Sequence, residues 1–112
     1  MANKYEVWVA DLDPRFGAEP GKKRPVLVVQ SDLINGKLNT TMICPITTKL
    51  VSSTNLLRLR LLKGEAGLNE DSDVLVTHVR AIDNNRFVQK LGNLDMGKQK
   101  LLDQSLRIVL DI

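Results

Sequence analysis

Gly21-Lys22-Lys23-Arg24-Pro25-Val26-Leu27-Val28-Val29 passes from three adjacent cations straight into an unbroken apolar run. A run of that length bounded by turn residues reads as a strand buried on both faces, over residues 26–30, and therefore central in its sheet. Pro25 at the first position of that strand removes no donor that a central ladder needs, and it fixes the backbone just after Arg24. The arginine is thereby mounted on the rim of the sheet. Its planar, permanently charged fork suits a phosphate better than a lysine does. The pentapeptide alone is equally an ordinary solvated basic turn.

The segments on either side extend the β reading. Residues 5–11 alternate, with Tyr5, Val7 and Val9 set against Glu6, Trp8 and Ala10, which predicts a first strand covered on both faces. Two prolines and two glycines between Asp13 and Gly21 predict a long loop. Ser31-Asp32 can open a short helical turn that ends at Asn35-Gly36, and residues 41–46 form a third strand. Arg58 and Arg60 alternate with Leu57, Leu59 and Leu61 in a half-exposed strand over 56–62, followed by a turn-rich acidic connection whose charges, from Glu65 to Asp73, could steer a partner but read better as solubilising a loop. Residues 72–82 predict one or two strands broken near Thr77-His78, and residues 87–94 a closing edge strand. The period then changes: Leu102, Leu106, Val109 and Leu110 fall at helical spacing after a capping Asp95. The expected architecture is mainly β with helices (α+β), a small barrel-like sheet with a C-terminal amphipathic helix, as a single domain over residues 1–112.

Composition narrows the function classes without choosing one. The 112 residues, 43% hydrophobic and 26% charged, suit one modest core. No apolar run approaches the roughly 20 residues that span a bilayer, and residues 1–4 carry no signal-like segment, so a cytoplasmic protein with no membrane partner is expected. One histidine and one cysteine argue against a protein-only zinc site, and Cys44, between Ile43 and Pro45, reads as a packing residue. A net charge of +3 is compatible with nucleic acid and does not require it.

Five motifs occur in order: Asp11-Leu12-Asp13-Pro14 after the first strand, Phe16-Gly17-Ala18-Glu19-Pro20-Gly21, Arg24-Pro25, Cys44-Pro45-Ile46-Thr47-Thr48, and Val79-Arg80-Ala81-Ile82-Asp83. Together they resemble the MazF/PemK (Kid-like) family of toxin endoribonucleases, over residues 5 to 110. The resemblance implies an SH3-like barrel, a homodimer, selective cleavage of single-stranded RNA with neither metal nor cofactor, and neutralisation by an acidic, partly disordered antitoxin segment. It places the catalytic arginine on Arg24, the catalytic threonine on Thr47 and the acidic residue of the first loop on Glu19.

Those residue types suit the chemistry. Attack of a ribose 2'-hydroxyl on the adjacent phosphorus leaves a 2',3'-cyclic phosphate and a 5'-hydroxyl, so protons must move and a crowded dianion must be stabilised. Arg24 can bind that charge, and Thr47 can donate to a nonbridging oxygen. Arginine is a poor base, which makes Glu19 the better base candidate physically, although a glutamate beside Lys22 and Lys23 also fits a surface pair.

The RNA-binding candidates are Phe16, Gly17, Ala18, Pro20, Lys22, Lys23, Thr48, Lys49, Thr77, His78 and Arg80. Gly17-Ala18-Glu19-Pro20 departs from the Gly-Ser-Glu-Gln common in relatives, losing a hydroxyl and an amide and gaining stiffness, which predicts a different target choice. His78 stands where many relatives carry glutamine. A lone histidine is more often an ordinary surface or core residue; the sharper reading has it meeting a base beside Arg80. On one strand Thr77, His78 and Arg80 could not all face the same way. Phe16 is a better stacking candidate than Trp8, and Lys37, Lys49, Arg58 and Arg60 could together extend the basic surface, while each reads individually as solvated charge. Two other readings keep the same fold: a poison of DNA gyrase, and a noncatalytic RNA-binding regulator.

Overall fold

β-Branched and leucine-rich runs with both faces apolar seek the middle of a sheet, and the two such runs here lie side by side at its centre. The computed structural model describes residues 1–14, 16–18, 22–52 and 57–112. Its strands are β1 (Glu6–Asp11), β2 (Lys23–Val28), β3 (Thr40–Thr47), β4 (Arg58–Leu61), β5 (Ser72–Leu75), β6 (Arg80–Asp83) and β7 (Phe87–Asn93), followed by the helix α1 (Met96–Leu110). All pairings are antiparallel, in the order β4-β5-β3-β2-β1-β7, with β6 also on β3.

Successive residues of β2 and β3 feed two apolar clusters, one on each face. Leu27, Cys44 and Ile46 join Val7, Leu61, Val74 and Leu102. Val26, Val28 and Ile43 join Ala10, Leu12 and Ile82, with Trp8 and Phe87 packed against them. Burial pushes the Cys44 thiol up to about 12, so it stays protonated and inert as the packing residue expected.

The ends of the sheet meet through backbone. The 3₁₀ turn Glu65–Gly67 lies against β7 so closely that a Cβ on Gly67 would sit 2.1 Å from the Leu91 carbonyl oxygen, and one on Gly92 2.6 Å from the Ala66 carbonyl carbon. Only glycine permits that approach, and at Gly67 its positive φ of 76° is needed as well. The barrel-like closure depends on it.

The helix begins where Asp95 accepts the Lys98 amide at 2.8 Å. Leu102 is buried in the first cluster, with Leu106 and Val109 packed beside it, so this face serves the chain's own core. Leu110, expected on that face, is instead half exposed at the last turn. Two further expectations need correction. The second strand starts three residues early, which places Pro25 inside β2, opposite Val9 of β1, while pairing with β3 starts only at Val26. Thr77 and His78 are not on a strand: they belong to the 3₁₀ turn Val76–His78 between β5 and β6. No helix of the described residues is long and apolar enough to cross a membrane.

Candidate active site

The central strand β3 changes partners along its length, and the candidate site sits at the last change. On one edge it pairs with β6 over Thr40 to Ile43 and with β5 at Ile46 and Thr47; on the other it pairs with β2 from Ile43 to Pro45. The pairing of β2 with β3 ends at Val26–Pro45. Carrying the register two residues past that pair sets Arg24 across from Thr47. β2 meanwhile stays on β1, where Arg24 pairs with Ala10. Arg24 and Thr47 thus lie just beyond the last β2–β3 pair, on strands that are each held from their far side.

Arg24 is half buried, and its Nη1 lies 3.4 Å from the Ile46 carbonyl oxygen. Burial lowers the guanidinium below its usual range without bringing neutrality near physiological pH. Thr47 is also half buried, and its Oγ1 accepts the Lys49 amide at 3.1 Å. A hydroxyl that accepts in this way keeps its own proton to donate to a ligand. Thr48 and Lys49 follow as exposed residues.

The base of the first loop is pinned from several sides. The Leu12 amide donates to the Lys22 carbonyl at 2.9 Å, and the Lys22 amide to Asp13 Oδ1 at 2.5 Å. Arg86 Nη1 donates to the carbonyls of Asp11 and Asp13, at 2.9 and 2.6 Å. Lys22 takes a left-handed φ of 66°, and Lys22 and Lys23 are both exposed. Phe16 is 69% exposed, with Gly17 and Ala18 beside it in solvent, a disposition that leaves its ring available for stacking. Glu19 and Pro20 lie outside the described residues.

Thr77, His78 and Arg80 lie elsewhere along β3. Arg80 pairs with Ile43, four residues before Thr47, or roughly 13 Å at the usual strand rise. Thr77 is exposed and His78 half buried on their turn. Trp8 packs edge-on against Phe87, with ring centroids 5.6 Å apart, and donates Nε1 to Glu6, in line with a structural rather than a stacking role.

The charges read as solvated are where sequence reasoning missed most. Asp73 is not a loop residue: it lies in β5, paired with Thr47, its side chain wholly buried. Arg58 Nη1 donates to its Oδ2 at 3.1 Å, and Arg60 Nε to its Oδ1. Burial by itself would raise this carboxyl, but the hydrogen bonds from Arg60 and Arg58 outweigh it and hold Asp73 below the usual carboxylate range. The readable signal was a carboxylate within the apolar run Ser72-Asp73-Val74-Leu75, downstream of an Arg-x-Arg alternation that could pair with it. Among the described residues, no group of three histidine, cysteine or carboxylate side chains is arranged to hold a metal ion.

The family described as PemK-like, MazF-like toxin of type II toxin-antitoxin system matches residues 3–110. Endoribonuclease EndoA of Bacillus subtilis (strain 168) is 32% identical over 110 residues, covering 98% of this chain and 95% of that protein. In fold, the chain is similar to MazF from Deinococcus radiodurans, with a TM-score of 0.83 at 21% identity over 99% of this chain and 97% of that one. It is likewise similar to an endoribonuclease solved in complex with its cognate antitoxin from a mycobacterial species, with a TM-score of 0.80 at 14% identity, covering 100% and 97% of the two chains.

Proposed function

The chain belongs to the PemK-like, MazF-like toxin family of type II toxin-antitoxin systems, and from that premise we propose that it is the system's toxin, an endoribonuclease that cleaves single-stranded RNA. It works in the cytoplasm as a homodimer, inhibiting translation and growth until an acidic, partly disordered antitoxin segment covers the RNA groove.

What supports the mechanism is that Arg24 Nη1 lies 3.4 Å from the carbonyl oxygen of Ile46, the residue before Thr47, just past the point where the pairing of β2 with β3 ends. A phosphodiester bound there meets a guanidinium on one side and a hydroxyl proton on the other. The 2'-oxygen bonds to phosphorus as the bond to the 5'-oxygen breaks, giving a 2',3'-cyclic phosphate and a 5'-hydroxyl without a metal. Arg24 stabilises the dianion, and the lowering of its pKa by burial favours proton donation to the leaving 5'-oxygen. Thr47 donates to a nonbridging oxygen. Glu19, in the loop whose base is pinned at Leu12, Asp13 and Lys22, takes the 2'-hydroxyl proton. Phe16, Gly17, Ala18 and Pro20 of that loop, with Lys22, Lys23, Thr48 and Lys49, contact the nucleotides next to the cut. Thr77, His78 and Arg80 meet more distant ones.

The test is incubation of purified protein with a mixed RNA pool in EDTA, with both new ends mapped, for the wild type and for Arg24→Ala. Cyclic phosphate and 5'-hydroxyl ends that vanish in Arg24→Ala are expected; an intact pool with the wild type overturns the reading. Glu19→Gln at the parental single-turnover rate would remove Glu19 as the base.

A further inference from the structure

Two arginines share one buried carboxylate and each also holds a carbonyl of the segment that leaves Thr47. We propose that Asp73, acting through Arg58 and Arg60, is a positioning residue that sets the Thr47 hydroxyl for the cleavage step, an inference that rests on the endoribonuclease reading above.

The connection can be followed atom by atom. Arg58 Nη1 donates both to Asp73 Oδ2 and to the Lys49 carbonyl, at 3.1 and 3.0 Å. Arg60 donates Nε to Asp73 Oδ1 and Nη2 to the Val51 carbonyl at 3.0 Å. The amide of the same Lys49 donates to Thr47 Oγ1 at 3.1 Å. Lys49 is therefore held through its carbonyl by the arginine and through its N–H by the catalytic hydroxyl, so a shift of Arg58 re-aims Thr47. Asp73 is also the residue paired with Thr47 across β3 and β5, so the same strand pair fixes both ends of the relay.

Cheaper ways to fill this position exist. Burying a carboxylate costs more than packing an apolar side chain of similar size, and a replaced buried ion pair often leaves a protein equally stable. Asp73 side-chain exposure is 0%, against 26% and 28% for Arg58 and Arg60, so the charge lies beneath the two guanidinium groups and orients them from below. A planar fork with five donors can satisfy a carboxylate and still hold a carbonyl; a lysine ammonium has no such fixed geometry.

The experiment uses the full chain and one oligoribonucleotide containing a cleavage site mapped from the RNA pool. Single-turnover rates are measured for the wild type, Asp73→Asn, Thr47→Val and the double variant. Affinity is measured separately with the same oligonucleotide carrying a 2'-deoxy sugar at the cleaved nucleotide. Asp73→Asn is expected to slow cleavage about tenfold to a hundredfold, since a misplacement of about 1 Å can cost that much, while affinity changes less than about threefold. In the Thr47→Val background it should cost little more, because the hydroxyl it positions is gone. A parental rate for Asp73→Asn, or a loss that multiplies fully with Thr47→Val, overturns the proposal. If Asp73→Asn does not fold, Arg58→Lys with Arg60→Lys replaces it, with the same expectations. A wild type that cleaves nothing would remove the endoribonuclease reading; wild-type cleavage lost in Thr47→Val but retained in Asp73→Asn would remove this inference alone.

Discussion

Glu6 and Asp73 are both carboxylates withdrawn from water, one at each end of the central strands, and they are held in different ways. Glu6 of β1 accepts the Asn3 amide at 2.8 Å and Trp8 Nε1 at 3.0 Å, and pairs with Lys90 of β7 at 3.0 Å. These partners join the N-terminal segment, β1 and β7, and the relay ends there in the exposed lysine. Asp73 is held by two guanidinium groups whose spare donors continue to the loop after Thr47. Similar burial and similar chemistry thus lead to different consequences, because an ammonium acts as a point charge whereas a guanidinium can pass an orientation onward.

The comparison is sharpest if activity and stability separate between the two ends. Arg24→Ala gives the largest expected effect, a loss of about 10²- to 10³-fold in single-turnover cleavage, the usual cost of removing one transition-state donor, with an unchanged melting temperature. Asp73→Asn follows at the smaller loss given above. Glu6→Gln should do the reverse: it leaves Lys90 without its partner and lowers stability by about 1–3 kcal/mol in denaturant melts, while folded protein cleaves at the parental rate. A slower rate in folded Glu6→Gln would break the distinction.

Acidification tests both carboxylates together. At Glu6, burial by itself raises the pKa, but the Asn3 amide, Trp8 and Lys90 together carry it below its usual value; Asp73 is lowered likewise. Since the folded pKa values lie below the unfolded ones, the unfolded chain binds more protons in the window between them. The stabilisation is therefore complete above the unfolded values of about 4 and is lost as pH falls through the folded ones. Melting temperature should drop below about pH 4, and Glu6→Gln should flatten part of that drop. The smallest effect is expected for Tyr5→Phe. It removes the hydroxyl that donates to Asp103 at 2.9 Å and should cost about 1 kcal/mol at unchanged cleavage rate.

Much of the fold was legible because its signals are local. The alternation through Tyr5-Glu6-Val7-Trp8, the apolar run after Pro25 and the spacing of Leu102, Leu106 and Val109 after Asp95 each report which side of an element meets the core. Arg24 and Thr47 stand out as candidates for a different reason, their place in an ordered set of motifs. What stayed hidden depends on partners. Pro25 could sit inside β2 because β3 begins to pair only at Val26, and Thr77-His78 left the strand because β3 passes from β5 to β6 at that point. No local window contains those facts.

The amino-acid sequence by itself determined the strand-rich architecture, the capped terminal helix and the inert buried Cys44, and it singled out the residues proposed to meet a phosphate. Hydrophobic period, capping chemistry and side-chain charge act within a few residues and can be read along a chain. Only the tertiary structure decided that Arg24 reaches the Ile46 carbonyl beside Thr47, that Asp73 lies buried rather than solvated, and that Arg58 and Arg60 are tied to the loop after Thr47. Those outcomes follow from register and strand order, which bring residues 47, 58, 60 and 73 together across distances that no local periodicity encodes.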